Sequence, residues 1–72
     1  MQTTSAVISS TLRALLDELR DACFNTVKLI NQMEIEHLTE DQMEEILGEL
    51  SVSAMHLQMH AGFVKEEIDK GD

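Results

Sequence analysis

The chain has no proline, tryptophan or tyrosine, and among its 72 residues only two phenylalanines, three glycines and one cysteine. A single cysteine closes no internal disulfide, which excludes a disulfide-stapled scaffold. No Cys/His pattern with the spacing of a structural zinc site is present either. Basic residues are few: five Lys and Arg stand against fourteen Asp and Glu, for a formal net charge of −9. That balance excludes the basic footprint of a nucleic-acid-binding domain, so no direct nucleic-acid binding is expected, and it disfavours an anionic lipid surface. No apolar run reaches the roughly 18 residues that a membrane span needs. Met1 to Ser10 has neither a basic start nor a continuous apolar stretch and is not read as a signal peptide. A lone thiol fits a reducing compartment, so a cytoplasmic location is expected.

What is present is helical periodicity. Ile8, Leu12, Leu15, Leu19, Ala22, Leu29 and Met33 recur at steps of four and three, with Thr26 in the remaining slot. Leu16, Cys23, Val27 and Ile30 widen this stripe on one side. The pattern predicts a helix over about 5–36, capped by Thr4 or Ser5, with Cys23 acting as a small buried hydrophobe. His37-Leu38-Thr39 interrupts the period. Thr39 and Gln42 have capping-box spacing, and Glu40 and Asp41 suit the positive end of a helix dipole. A second helix over about 40–70 follows, with Met43, Leu47, Leu50, Ala54, Leu57, Ala61, Val64 and Ile68 as its apolar stripe and Lys70-Gly71 as its stop. Gly48 and Ser51-Val52-Ser53 are weak helix formers, but the stripe runs through them.

Two helices of similar length joined by a short turn predict one all-α domain, an antiparallel two-helix hairpin. Folding at residue 38 stacks Met33 on Met43, Leu29 on Leu47, Thr26 on Leu50, Ala22 on Ala54, Leu19 on Leu57, Leu15 on Ala61, Leu12 on Val64 and Ile8 on Ile68. An isolated hairpin of this size encloses little core. Val52, Met55, Met59 and Phe63 form a further apolar stripe on the back of the second helix, and Phe24 lies off the main stripe of the first. With His56 and His60 they are the candidate interface. Two occupants fit it: a second copy, giving a homodimeric four-helix bundle, or another protein on an adaptable Met-rich surface.

Little in the sequence points to chemistry. His56 and His60, four apart, share a helix face and could chelate Zn, Ni or Cu. No His-Glu-x-x-His pattern accompanies them and further ligands are not evident, so no cofactor is expected and metal binding is the weaker alternative. Arg20 is the one candidate activator near Cys23, and no phosphate-binding glycine loop exists. Leu38–Gln42 resembles the helix openings of EF-hand proteins, but no calcium loop follows it. The distinctive charge feature is the turn, where Glu34, Glu36, Glu40, Asp41, Glu44, Glu45 and Glu49 place seven acids in 16 residues without a base. The expectation is a non-catalytic regulatory or accessory protein that binds a larger partner. That partner is expected to be basic, for example a nucleic-acid-binding protein. A structural or chaperone-like subunit of a hetero-complex is the alternative.

Overall fold

Residues 8–71 are described in the structure, a computed structural model. They form two helices packed against each other, α1 (Ser10–Met33) and α2 (Glu40–Lys70), joined by a turn. The expected caps Thr4 and Ser5, and the start of the expected first helix, lie outside the described residues. The N-cap of α1 is Ser9, whose hydroxyl accepts from the Leu12 amide at 3.1 Å. That hydroxyl satisfies one of the amides that a helix start leaves without an internal partner.

α1 stops at Met33, three residues short of the expected end. The amides of Glu34 and Ile35 turn back to the carbonyls of Asn31 and Gln32 at 3.1 and 3.2 Å, tightening the last turn to three-residue spacing. The chain then reverses through His37, whose φ of 69° lies in the left-handed region. A Cβ disfavours that conformation, although His is among the residues that enter it. The apolar stripe ends at Met33, its next slot being Glu36, and Ile35, off the stripe, is exposed.

α2 begins where its chemistry requires. The Thr39 hydroxyl accepts from the Gln42 amide at 3.1 Å, and the Gln42 side chain accepts from the Thr39 amide at 3.0 Å. The helix runs unbroken through Gly48 and Ser51-Val52-Ser53, and its last turn carries Lys70.

The seam between the helices differs from the expected one on α2. On α1, Leu12, Leu15, Leu19, Ala22, Thr26, Leu29 and Met33 face inward as their spacing predicts. On α2 the inward residues are Met43, Ile46, Leu50, Ser53, Leu57, His60, Val64 and Glu67. Leu47, Ala54, Ala61 and Ile68, expected in the seam, are exposed. The stacking shifts accordingly: Thr26 meets Ser53 rather than Leu50, with their hydroxyl oxygens 2.8 Å apart. The physical reason is polar matching. The expected layer set the Thr26 hydroxyl against a leucine, whereas the observed one gives it a partner. Cys23, Val27 and Ile30 are likewise exposed rather than buried, and only Leu16 of that flank is half-buried.

The resulting core is thin. Among the described residues, the buried hydrophobics are Leu29 and Val64, at 5% and 7% exposure, and no side chain is below 2%. Among the described residues, no helix is long and apolar enough to cross a membrane.

Two substitutions test this backbone reading. A Cβ at Gly48 meets nothing within 4 Å, so Gly48→Ala is expected to raise stability by about 0.5–1 kcal/mol through helix propensity. His37→Gly is expected to be stabilising or neutral, because relief of the left-handed strain offsets the greater freedom of glycine in the unfolded chain. Urea unfolding followed by circular dichroism measures both. A loss of more than about 0.5 kcal/mol for Gly48→Ala would contradict a continuous, open helix at that position.

Candidate interaction surfaces

The centre of the seam is a chain of polar groups. Thr26 Oγ1 lies 2.9 Å from the Ala22 carbonyl oxygen, to which it donates. Its one hydroxyl proton is therefore committed, and in the 2.8 Å contact Ser53 donates to Thr26. The Ser53 oxygen in turn accepts from Asn25 Nδ2 at 3.1 Å. The direction is fixed throughout: Asn25 amide to Ser53 hydroxyl to Thr26 hydroxyl to Ala22 carbonyl. Ser53 is 4% exposed, so these bonds replace water that it has lost.

His60 lies two turns further along α2. It was expected on an intermolecular interface, but it faces the seam within its own hairpin, with its side chain 29% exposed. Its Nδ1 is buried without a hydrogen-bond partner. Glu18 Oε1 is 3.9 Å from that atom, too far for a hydrogen bond. Phe63 meets the imidazole edge to face, with centroids 6.2 Å apart and planes at 81°, a favoured aromatic geometry. Glu18, Asp21, Asn25, Ser53, His56 and His60 share one shallow groove of about 320 Å³. The two histidines are thus near carboxylates from α1. Even so, no group of three or more His, Cys, Asp or Glu among the described residues is arranged to hold a metal ion.

A second groove on the same side of the hairpin, about 600 Å³ and open, is lined by Glu44, Glu45 and Glu49 over Leu29, Gly48 and Val52. Three of the seven turn acids therefore border a shallow trough with an apolar floor. All seven acids are exposed. The expected back stripe is exposed too, with Phe24, Val52, Met55, Met59 and Phe63 open to solvent. His56 is exposed beside it. Phe24 is on the other helix from the rest and is 66% exposed.

One surface was missed by the sequence reading. Just after Leu15, Ala22 and Leu29, α1 exposes or half-exposes Leu16, Cys23 and Ile30, and just after Ile46, Ser53, His60 and Glu67, α2 exposes Leu47, Ala54, Ala61 and Ile68. Its residues are apolar and helically spaced in the sequence, but that same spacing places Leu47, Ala54, Ala61 and Ile68 in the seam itself.

Comparison of the chain with protein-family models, with curated proteins and with solved structures found no match. The surfaces are therefore interpreted from their own chemistry.

A double-mutant cycle tests the polar layer. Ser53→Ala is expected to cost about 1 kcal/mol, because it strips partners from Asn25 and Thr26. Thr26→Val in the Ser53→Ala background is expected to cost at least about 0.5 kcal/mol less than Thr26→Val alone. Additive losses in urea unfolding would mean that the two hydroxyls do not act as one unit.

Proposed function

We propose that this chain is a non-catalytic protein–protein interaction module. In this reading the hairpin pairs with a second copy to form a four-helix bundle and offers its acidic turn region to a basic protein partner. The observation that carries the proposal is the imbalance of burial. Among the described residues, two hydrophobics are buried, while Ile8, Phe24, Val27, Ile30, Ile35, Leu47, Val52, Met55, Met59, Phe63 and Ile68 are all exposed. Isolated apolar residues on a surface are ordinary, but long apolar faces on a small protein mark contact sites. A 72-residue hairpin gains little stability from its own seam and completes its core by association.

The partner's chemistry follows from the turn. Glu44, Glu45 and Glu49 edge a trough floored by Leu29 and Val52. Such a trough suits an amphipathic segment that has basic residues along its edges and aliphatic residues at its centre. The carboxylates supply steering and selectivity, and the floor supplies contact area.

The probe for this reading is a synthetic helical peptide of lysine and leucine carrying one tryptophan. The chain has no Trp or Tyr, so the peptide's fluorescence reports binding without background. Saturable binding that weakens at least tenfold between low and high salt is expected, together with loss of binding in Glu44→Lys/Glu45→Lys/Glu49→Lys. Equal binding to that variant would remove the acidic trough from the proposal. For self-association, light scattering after gel filtration is expected to give about 16 kDa, twice the 8.1 kDa chain. A folded 8 kDa species would remove the dimer. An unfolded one would favour the hetero-complex alternative, in which another protein supplies the missing half of the core.

A further inference from the structure

The two long sides of the hairpin are chemically opposite. Glu18 and Asn25 of α1 and His56 of α2 line one groove, so they lie on one side of the pair. Each of these residues precedes an inward-facing one. Because the helices run in opposite directions, the residues that follow the second inward position of each three-apart pair (12/15, 19/22 and 26/29 on α1; 43/46, 50/53, 57/60 and 64/67 on α2) meet on the other side. That side presents Leu16, Cys23 and Ile30 from α1 and Leu47, Ala54, Ala61 and Ile68 from α2, with no polar side chain among them.

The face has an internal symmetry. Thr26 stands level with Ser53, and Glu18 reaches His60. Carrying that stacking along the helices sets Ile68 and Leu16 toward the open end of the hairpin. Ala61, Cys23 and Ala54 fall in the middle, with Ile30 and Leu47 toward the turn. Large side chains thus lie at both ends and small ones at the centre.

The charge bordering the face is not symmetric. Arg13 and Lys65 flank its open end, where Lys70 and the acids Asp17, Glu66, Glu67 and Asp69 also lie, and Arg20 stands near the middle, while Glu34 and Glu44 flank the turn end, and the whole segment 34–49 holds seven acids and no Lys or Arg. Arg20 and Lys65 already touch Asp17 and Asp69 on their own helices. Those pairs are exposed and weak, and do not stop the cations from meeting a second acid.

We propose that a second copy of this chain covers the Leu16/Ile30/Leu47/Ala54/Ala61/Ile68 face, with the two hairpins antiparallel so that the acidic turn of each lies against the mixed-charge open end of the other, where Arg13 and Lys65 edge the face. This rests on the dimer reading above and goes further by fixing its face and direction. A two-fold axis across the middle of the face brings Leu47 of one copy to Ile68 of the other and Ala54 to Ala61, with Leu16 near Ile30 and the two Cys23 near the axis. The small central residues let the helices approach closely, and the large ones interdigitate on either side. The parallel alternative gathers both sets of seven acids at one end, a like-charge juxtaposition that disfavours it. The back stripe of Val52, Met55, Met59 and Phe63 stays outside this contact.

The test uses the full chain and two readouts. Ala54→Glu/Ala61→Glu alters exposed helical positions and is expected to shift the mass from dimer to monomer, whereas Met55→Glu/Met59→Glu is expected to leave the dimer intact. Independently, spin labels on Glu36→Cys in a Cys23→Ser background are expected to lie about 40 Å apart, from the 1.5 Å rise per residue between the turn and the axis. A dimeric wild type whose labels lie within about 20 Å would overturn the antiparallel arrangement. Persistence of the dimer in Ala54→Glu/Ala61→Glu, or its loss in Met55→Glu/Met59→Glu alone, would overturn the face. Either result leaves the dimer reading standing, whereas a monomeric wild type overturns both.

Discussion

The hydrogen-bonded contact between Thr26 and Ser53 sets the arrangement of everything else in this hairpin. Two apolar helical stripes slide past one another at little cost, because leucine against leucine is nearly the same one layer up or down. A buried hydroxyl pair is different. Slipping the helices leaves Ser53, 4% exposed, without the Thr26 oxygen 2.8 Å away and without the Asn25 amide at 3.1 Å. Each lost partner carries a desolvation penalty of about 1–3 kcal/mol. The layer contributes less to net stability than it does to choosing one stacking over its neighbours, the role that single polar residues play in coiled coils.

That choice has consequences at the surface. Once Ser53, His60 and Glu67 occupy inward positions on α2, Leu47, Ala54, Ala61 and Ile68 turn outward. The hairpin therefore keeps polar residues inside and apolar ones outside along half of one helix. For a monomer that is a poor exchange: His60 Nδ1 is buried without a partner while Leu47 and Ile68 meet solvent. The exchange becomes reasonable when the outward residues are buried by association, and it explains why so small a seam leaves so much apolar surface. The turn adds charge of one sign at one end, so the hairpin differs along its length as well as between its sides.

The capping box at Thr39 and Gln42, the unbroken run of α2 and the inward face of α1 could be read from residue identity and spacing, because each depends on neighbours within one helical turn. The end of α1 could not. No proline or glycine marks its end: the backbone leaves the helix through Glu34 and reverses at His37, a residue with a Cβ. Cys23 is also exposed, although its place beside the stripe suggests burial: α2 covers the inward line of α1 through Ala22 and Thr26 and leaves this flank open.

The sequence by itself determined that the chain makes two helices, where the second begins, and that they pair antiparallel across a short acidic turn. Those are consequences of local capping and of apolar spacing, which act whatever the partner surface. Only the tertiary structure decided which face of α2 lies against α1. Two phases of its heptad were open, and the more apolar one, through Leu47, Ala54 and Ala61, was not the one taken. Hydrophobic spacing scores each helix alone, whereas the stacking is fixed between helices by where a hydroxyl on one finds a hydroxyl on the other.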